Sequence, residues 1–152
     1  MLLAAVRDNS YNLMLVVHIA AVAVTFAPVI LGPFQQSQLE ATGGDDLVIQ
    51  HAKSMKFFTS AVSMGAFVVV LLTGIGMIFS SDDAISFSDT WISVAFVLWI
   101  VIAGLISGVV GKGERLKSQG DVKGMNLVQW GSTAAVMVGV VMVWIMIDKP
   151  WL

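Results

Sequence analysis

The chain has 152 residues, room for one domain, and its composition excludes an ordinary water-soluble one. Hydrophobic residues make up 57% and charged residues 12%, against about 45–50% and about 25% in soluble domains, and the mean hydropathy is +0.88. A net charge of −2 offers nothing for nucleic acid to grip, and the absence of cysteine removes disulfides, zinc–thiolate sites, iron–sulfur clusters and thiol nucleophiles.

Charged residues mark the limits of the apolar segments. No Asp, Glu, Lys or Arg falls between Tyr11 and Leu39, Phe57 and Ser81, Thr90 and Gly111, or Gly124 and Ile147. Each gap holds an apolar run of about 20 residues, the length that crosses a hydrocarbon core of roughly 30 Å. The expected fold is all-α: one integral membrane domain over residues 1–152, a four-helix bundle with spans near 13–31, 57–79, 91–110 and 127–147. Runs such as Val68-Val69-Val70-Leu71-Leu72 lack the alternation of a lipid-facing barrel strand. The first run exceeds the apolar core of a signal peptide and reads as a permanent helix.

Orientation follows from the basic residues. Lys53, Lys56, Lys112, Arg115, Lys117 and Lys123 share one side, six of the eight in the chain, whereas Arg7 and Lys149 lie on the other with Asp82, Asp83 and Asp89. Lys and Arg favour the cytoplasmic side, so both termini are expected outside a bacterial cytoplasmic membrane. Trp91, Trp144 and Trp151 fall near the outer interface and Trp130 near the inner one, as indole rings prefer. Trp99 lies deeper, as a packing residue or a surface offered to a partner.

Helix one meets Pro28 and then Gly32-Pro33, so its end is expected to be kinked or broken. Residues 34–56 form a polar cytoplasmic segment: helix formers from Phe34 to Ala41 continue past the membrane, and Thr42-Gly43-Gly44-Asp45-Asp46 reads as a helix stop followed by a start near Asp46. Leu47, Val48, His51, Met55 and Phe58 would share one face, resting on the bilayer or on a partner. Residues 111–124, with four basic residues and four glycines, read as a solvated loop meeting anionic headgroups.

Small residues fall in stripes at spacings of three and four. Gly104, Gly108 and Gly111 mark one on helix three, and Ala135, Gly139, Met142 and Met146 one on helix four. Met14, His18, Ala21, Thr25, Pro28 and Gly32 on helix one, with Thr59, Ser63, Ala66, Val70, Thr73 and Met77 on helix two, complete the faces expected to meet in the bundle. Such stripes let backbones approach closely where lipid supplies no hydrophobic effect between helices.

No span contains an acid, Lys or Arg, whereas ion-coupled carriers generally keep one at mid-membrane. His18 is the titratable side chain well inside a span. Three readings stand for it: a neutral imidazole hydrogen-bonded to a neighbouring helix, a metal or haem ligand, or a contact to a partner subunit or headgroup. His51 sits at the opposite depth, so the two histidines do not make paired axial ligands. Met14, His18, Met77, Met142 and Met146 all fall in the outer half. Thioether with imidazole suits copper(I), and methionine also fills irregular gaps.

Leu15-Val16-Val17-His18-Ile19-Ala20-Ala21 in helix one and Leu71-Leu72-Thr73-Gly74-Ile75-Gly76-Met77 in helix two resemble a family of small bacterial four-span membrane proteins. More distantly the chain is similar to the copper-resistance D type of membrane domain. The resemblance implies a four-helix bundle with copper as a ligand at His18, and no known reaction. The residues themselves favour a non-catalytic accessory subunit that packs on other integral membrane subunits of a transporter or respiratory assembly, with no cofactor. The alternative is a small copper or solute permease active as an oligomer. An enzyme acting on lipid or haem precursors would rest on His18 and Thr25 alone.

Overall fold

The computed structural model describes residues 9–42, 45–81, 85–121 and 123–148. Arg7, Gly43, Gly44, Asp82, Asp83, Lys149 and Trp151, used above for orientation, turns and interfaces, lie outside them. The described residues form α1 (Asn9–Thr42), α2 (Asp45–Phe57), α3 (Met64–Phe79), α4 (Thr90–Gly104), α5 (Gly111–Lys117) and α6 (Lys123–Asp148). π-helical turns at Phe58–Ser63 and Leu105–Val110 fuse α2 to α3 and α4 to α5. Four helices long and apolar enough to cross a membrane result. The chain is an all-α four-helix bundle with the architecture of a multi-pass membrane protein, which satisfies its backbone hydrogen bonds within each helix.

The expected break in helix one does not occur: α1 continues through Pro28 and Pro33 to Thr42. Proline fixes a φ compatible with helix and removes a single amide donor each time. Ser63 Oγ, on the first π turn, donates to Thr25 O at 3.0 Å. Val29, one turn further, is buried.

The helix beginning at Asp45 also behaves differently from the expectation for its apolar face. Ala52 is fully buried while Leu47 and Phe58 are exposed, and Met55 Sδ approaches Gly32. The extension therefore docks on α1 and α5 of its own chain.

A second correction concerns residues 111–124. The third span runs on as α5, and only Ser118–Gly120 form the turn, closed by Gly120 at φ 81°, a left-handed conformation that suits glycine. Glu114 and Lys117 are buried, with Lys117 Nζ 3.1 Å from Oε1 and 2.9 Å from Oε2 of Glu114. Their charges face inward because α5 is clamped between α2 and α6. A Cβ on Gly124 would stand 2.5 Å from Lys117 N and 2.6 Å from Gly113 O, so the two helices meet backbone to backbone.

The core of the bundle is Val29, Phe67, Ile102, Ile106 and Ala135. Phe67 and Trp99 stack across it, ring centroids 4.5 Å apart at 13°. Trp99, half-buried, thus packs against the core. Above the stack, α3 packs chiefly on α1 and α4 chiefly on α6. The side between α3 and α4 is the least closely packed, and a cavity lies there.

Candidate functional site

The cavity occupies about 250 Å³ in the half of the bundle that carries the termini. Helical spacing places residues from all four spans on its wall: His18 on α1, Gly74 and Met77 on α3, Trp91 and Trp99 on α4, and Met142 and Met146 on α6. The lining is apolar apart from a few groups, and His18 and Tyr11 are the titratable ones among them. A narrower space of about 40 Å³ continues inward from it past Thr25 and Gly139.

Hydrogen bonding orients the His18 ring. Nδ1 lies 2.9 Å from Thr73 Oγ1, and the Thr73 hydroxyl donates back to Val69 O at 2.7 Å, with Val70 O at 3.2 Å. A hydroxyl has one hydrogen and two lone pairs. With that hydrogen on the backbone, Thr73 Oγ1 accepts from His18 Nδ1–H and a neutral ring carries its lone pair on Nε2; with it on Nδ1, the tautomer is reversed. The Cε1 corner rests 3.5 Å from a Cβ placed on Gly74, so a larger residue there would press on the ring. Of the three readings of His18, the bond to a neighbouring helix is present in the structure.

The residues singled out from sequence separate into three groups. His18, Met77, Met142 and Met146 meet at the cavity. Met14 does not line it: its Sδ fills the notch above Gly76, 2.7 Å from where a Cβ would stand. Thr25 is buried and donates to Ala21 O at 2.8 Å, a helical back-bond that leaves its hydrogen committed. His51 lies at the basic end near Gly32 and Lys117, far along the bundle from His18.

The glycine stripes divide as well. Ala135 and Gly139 are buried, and Phe26 Cζ sits 2.7 Å from a Cβ on Gly139. Gly104 and Gly108 are exposed on the outside of the bundle, with nothing within 4 Å of an added Cβ. Among the described residues they meet no other helix of this chain; the spacing alone left a partner inside or outside the chain open. Gly111 is half-buried and closes on Ile106 O of its own helix.

Sequence reasoning placed Thr73 on a packing face without pairing it to His18. The available signal was depth, since both lie about two turns from the terminal ends of their spans. It missed the Glu114–Lys117 pair altogether, because an i,i+3 pair in a basic segment also fits an exposed helix surface.

Among the described residues no three His, Asp or Glu side chains cluster. Copper(I) would draw instead on His18 and the three thioethers, a suitable donor set by softness. Those donors, however, surround a space sized for an organic molecule, whereas a metal ion needs donors converging on one point. No family model matches the chain, and neither a curated protein nor a solved structure does.

Proposed function

We propose that the chain is a non-catalytic accessory subunit, held to other integral membrane subunits of a transporter or respiratory assembly by helix packing. The observation that carries this reading is the exposed Gly104 and Gly108 on the lipid side of the third span. Ser107, between them in sequence, is exposed too and returns its hydroxyl to Ala103 O at 2.6 Å. Ile100 and Val101 are 63% and 43% exposed on the turn before, so the face is a shallow groove with branched side chains at one end. In lipid, small-xxx-small grooves gain dispersion contacts when another helix backbone enters them. The other deeply notched glycines, Gly113, Gly124, Gly131 and Gly139, are already filled by this chain.

The test is extraction of the native membrane in mild detergent with the tagged chain, beside Gly104→Leu and Gly108→Leu. Defined subunits are expected to co-purify with the unaltered chain and to be lost from both variants. Recovery of the unaltered chain as a free monomer, or unchanged recovery of the same subunits with the leucine variants, would reject the reading.

A further inference from the structure

We infer that the cavity between α3 and α4 is a binding site for a neutral, membrane-soluble aromatic alcohol of the phenol or quinol class, whose hydroxyl donates to His18 Nε2. The inference uses none of the residues of the Gly104–Gly108 face, so either reading stands if the other fails.

The direction of the hydrogen bond comes from Thr73. A hydroxyl that returns its hydrogen to Val69 O can only accept from the imidazole. The opposite ring nitrogen is therefore an acceptor, and it selects a ligand that brings a donor. Nδ1 meets Thr73 and Cε1 lies toward Gly74, His18 lines the cavity, and the inferred ligand takes the remaining nitrogen, Nε2. This is the geometry by which a partner on one imidazole nitrogen fixes the work of the other.

The class of ligand follows from the rest of the wall. Among the described residues no Asp, Glu, Lys or Arg lines the space, so a charged ligand would lose its hydration without compensation there. Trp91, Phe96 and Trp99 supply ring surfaces, which favour an aromatic body through offset stacking and edge contacts. A volume of about 250 Å³ exceeds the roughly 150 Å³ that accommodates benzene in a protein interior, leaving room for ring substituents.

Tryptophan fluorescence of the full chain in phosphatidylcholine nanodiscs tests this, because Trp91 and Trp99 flank the site. The probes are 4-bromophenol, whose bromine quenches indole emission, and 4-bromoanisole, which has the same body without the donor. Saturable quenching by the phenol is expected at about tenfold lower concentration than by the anisole, the ratio set by one hydrogen bond of about 1.4 kcal/mol. His18→Leu should equalise the two probes and Thr73→Val should narrow the gap severalfold. Ala95→Leu, which fills the wall from α4, should weaken both. Should His18→Leu not fold, the Thr73 and Ala95 variants decide alone.

A second readout is independent of affinity. With two histidines in the chain, ¹⁵N-histidine NMR resolves His18, expected with hydrogen on Nδ1 and an Nε2 resonance that moves when the phenol is added. Equal quenching by both probes, hydrogen on Nε2, or His18-dependent stoichiometric copper(I) uptake that excludes the phenol would each overturn the assignment.

Discussion

His18 Nδ1 and Thr73 Oγ1, 2.9 Å apart, join the first span to the second across 55 residues of sequence. The bond is a cross-helix tie, and in the inferred tautomer, with the threonine hydrogen on Val69 O, it also holds the proton on Nδ1. Polar side chains between membrane helices contribute modestly, about 0.6 kcal/mol on average and up to about 1.7. The structural cost of losing this one is accordingly small.

Thr73→Val should lower stability by about 1 kcal/mol, measured by unfolding in mixed micelles, and Thr73→Ser should restore most of it. A loss above about 3 kcal/mol would mean that Thr73 does more than tie His18. No loss would mean that the bond is absent in the membrane.

The Glu114–Lys117 pair makes a different demand. Both side chains are buried at the basic end, where attraction has to offset the cost of removing two charges from water. Glu114→Leu alone, or Lys117→Met alone, strands one buried charge and should cost about 3–5 kcal/mol. The double variant should be much closer to the unaltered protein, since apolar replacements of both partners are often neutral. Comparable losses for single and double variants would show that side-chain volume, not charge pairing, holds α5 against α2 and α6.

Phe67 lines the narrower space and stacks on Trp99, which lines both that space and the cavity. Phe67→Ala removes a side chain that is 3% exposed and should cost about 3–5 kcal/mol through lost burial and the void left behind. It should also merge the cavity with the narrower space beyond, both of which Trp99 lines. The volume gained is checked by binding of an apolar probe such as xenon to the variant. Unchanged stability would show that Trp99 or Met64 collapses into the space.

Much of this was legible in where the charges sit. The span expected from residue 91 begins as α4 at Thr90, whereas Lys123, expected in the loop of residues 111–124, already opens α6; the stop near Thr42 was set by the glycine pair and two acids that follow. What the sequence could not carry was the facing of each helix. Gly104 and Gly108 have the spacing of an interior stripe, yet Ile102 and Ile106 take the inside. Spacing gives a period without a phase, and the π turn beginning at Leu105 shifts that phase further. Likewise Lys117 looks solvated until α2 covers it, and that cover is tertiary. His18 was recognisable as special from its isolation in an apolar run. Its partner had to come from another helix, which no local pattern reports.

The glycines convert this difference of phase into a ranking that stability measurements can check. A Cβ at Gly124 meets backbone, Lys117 N at 2.5 Å and Gly113 O at 2.6 Å, and backbone in packed helices cannot step aside. At Gly139 it meets the Phe26 ring edge at 2.7 Å, which a small χ rotation relieves. At Gly108 it meets nothing within 4 Å, and alanine there gains up to about 1 kcal/mol of helix propensity. Gly124→Ala should therefore be the most destabilising, by about 3 kcal/mol at the upper end of overpacking costs, Gly139→Ala intermediate at about 1 kcal/mol, and Gly108→Ala neutral or stabilising in the isolated chain. Unfolding of the purified monomer measures all three. If Gly108→Ala destabilised the monomer, the outward phase of the third span would be wrong, and the exposed groove that a partner helix needs would not exist.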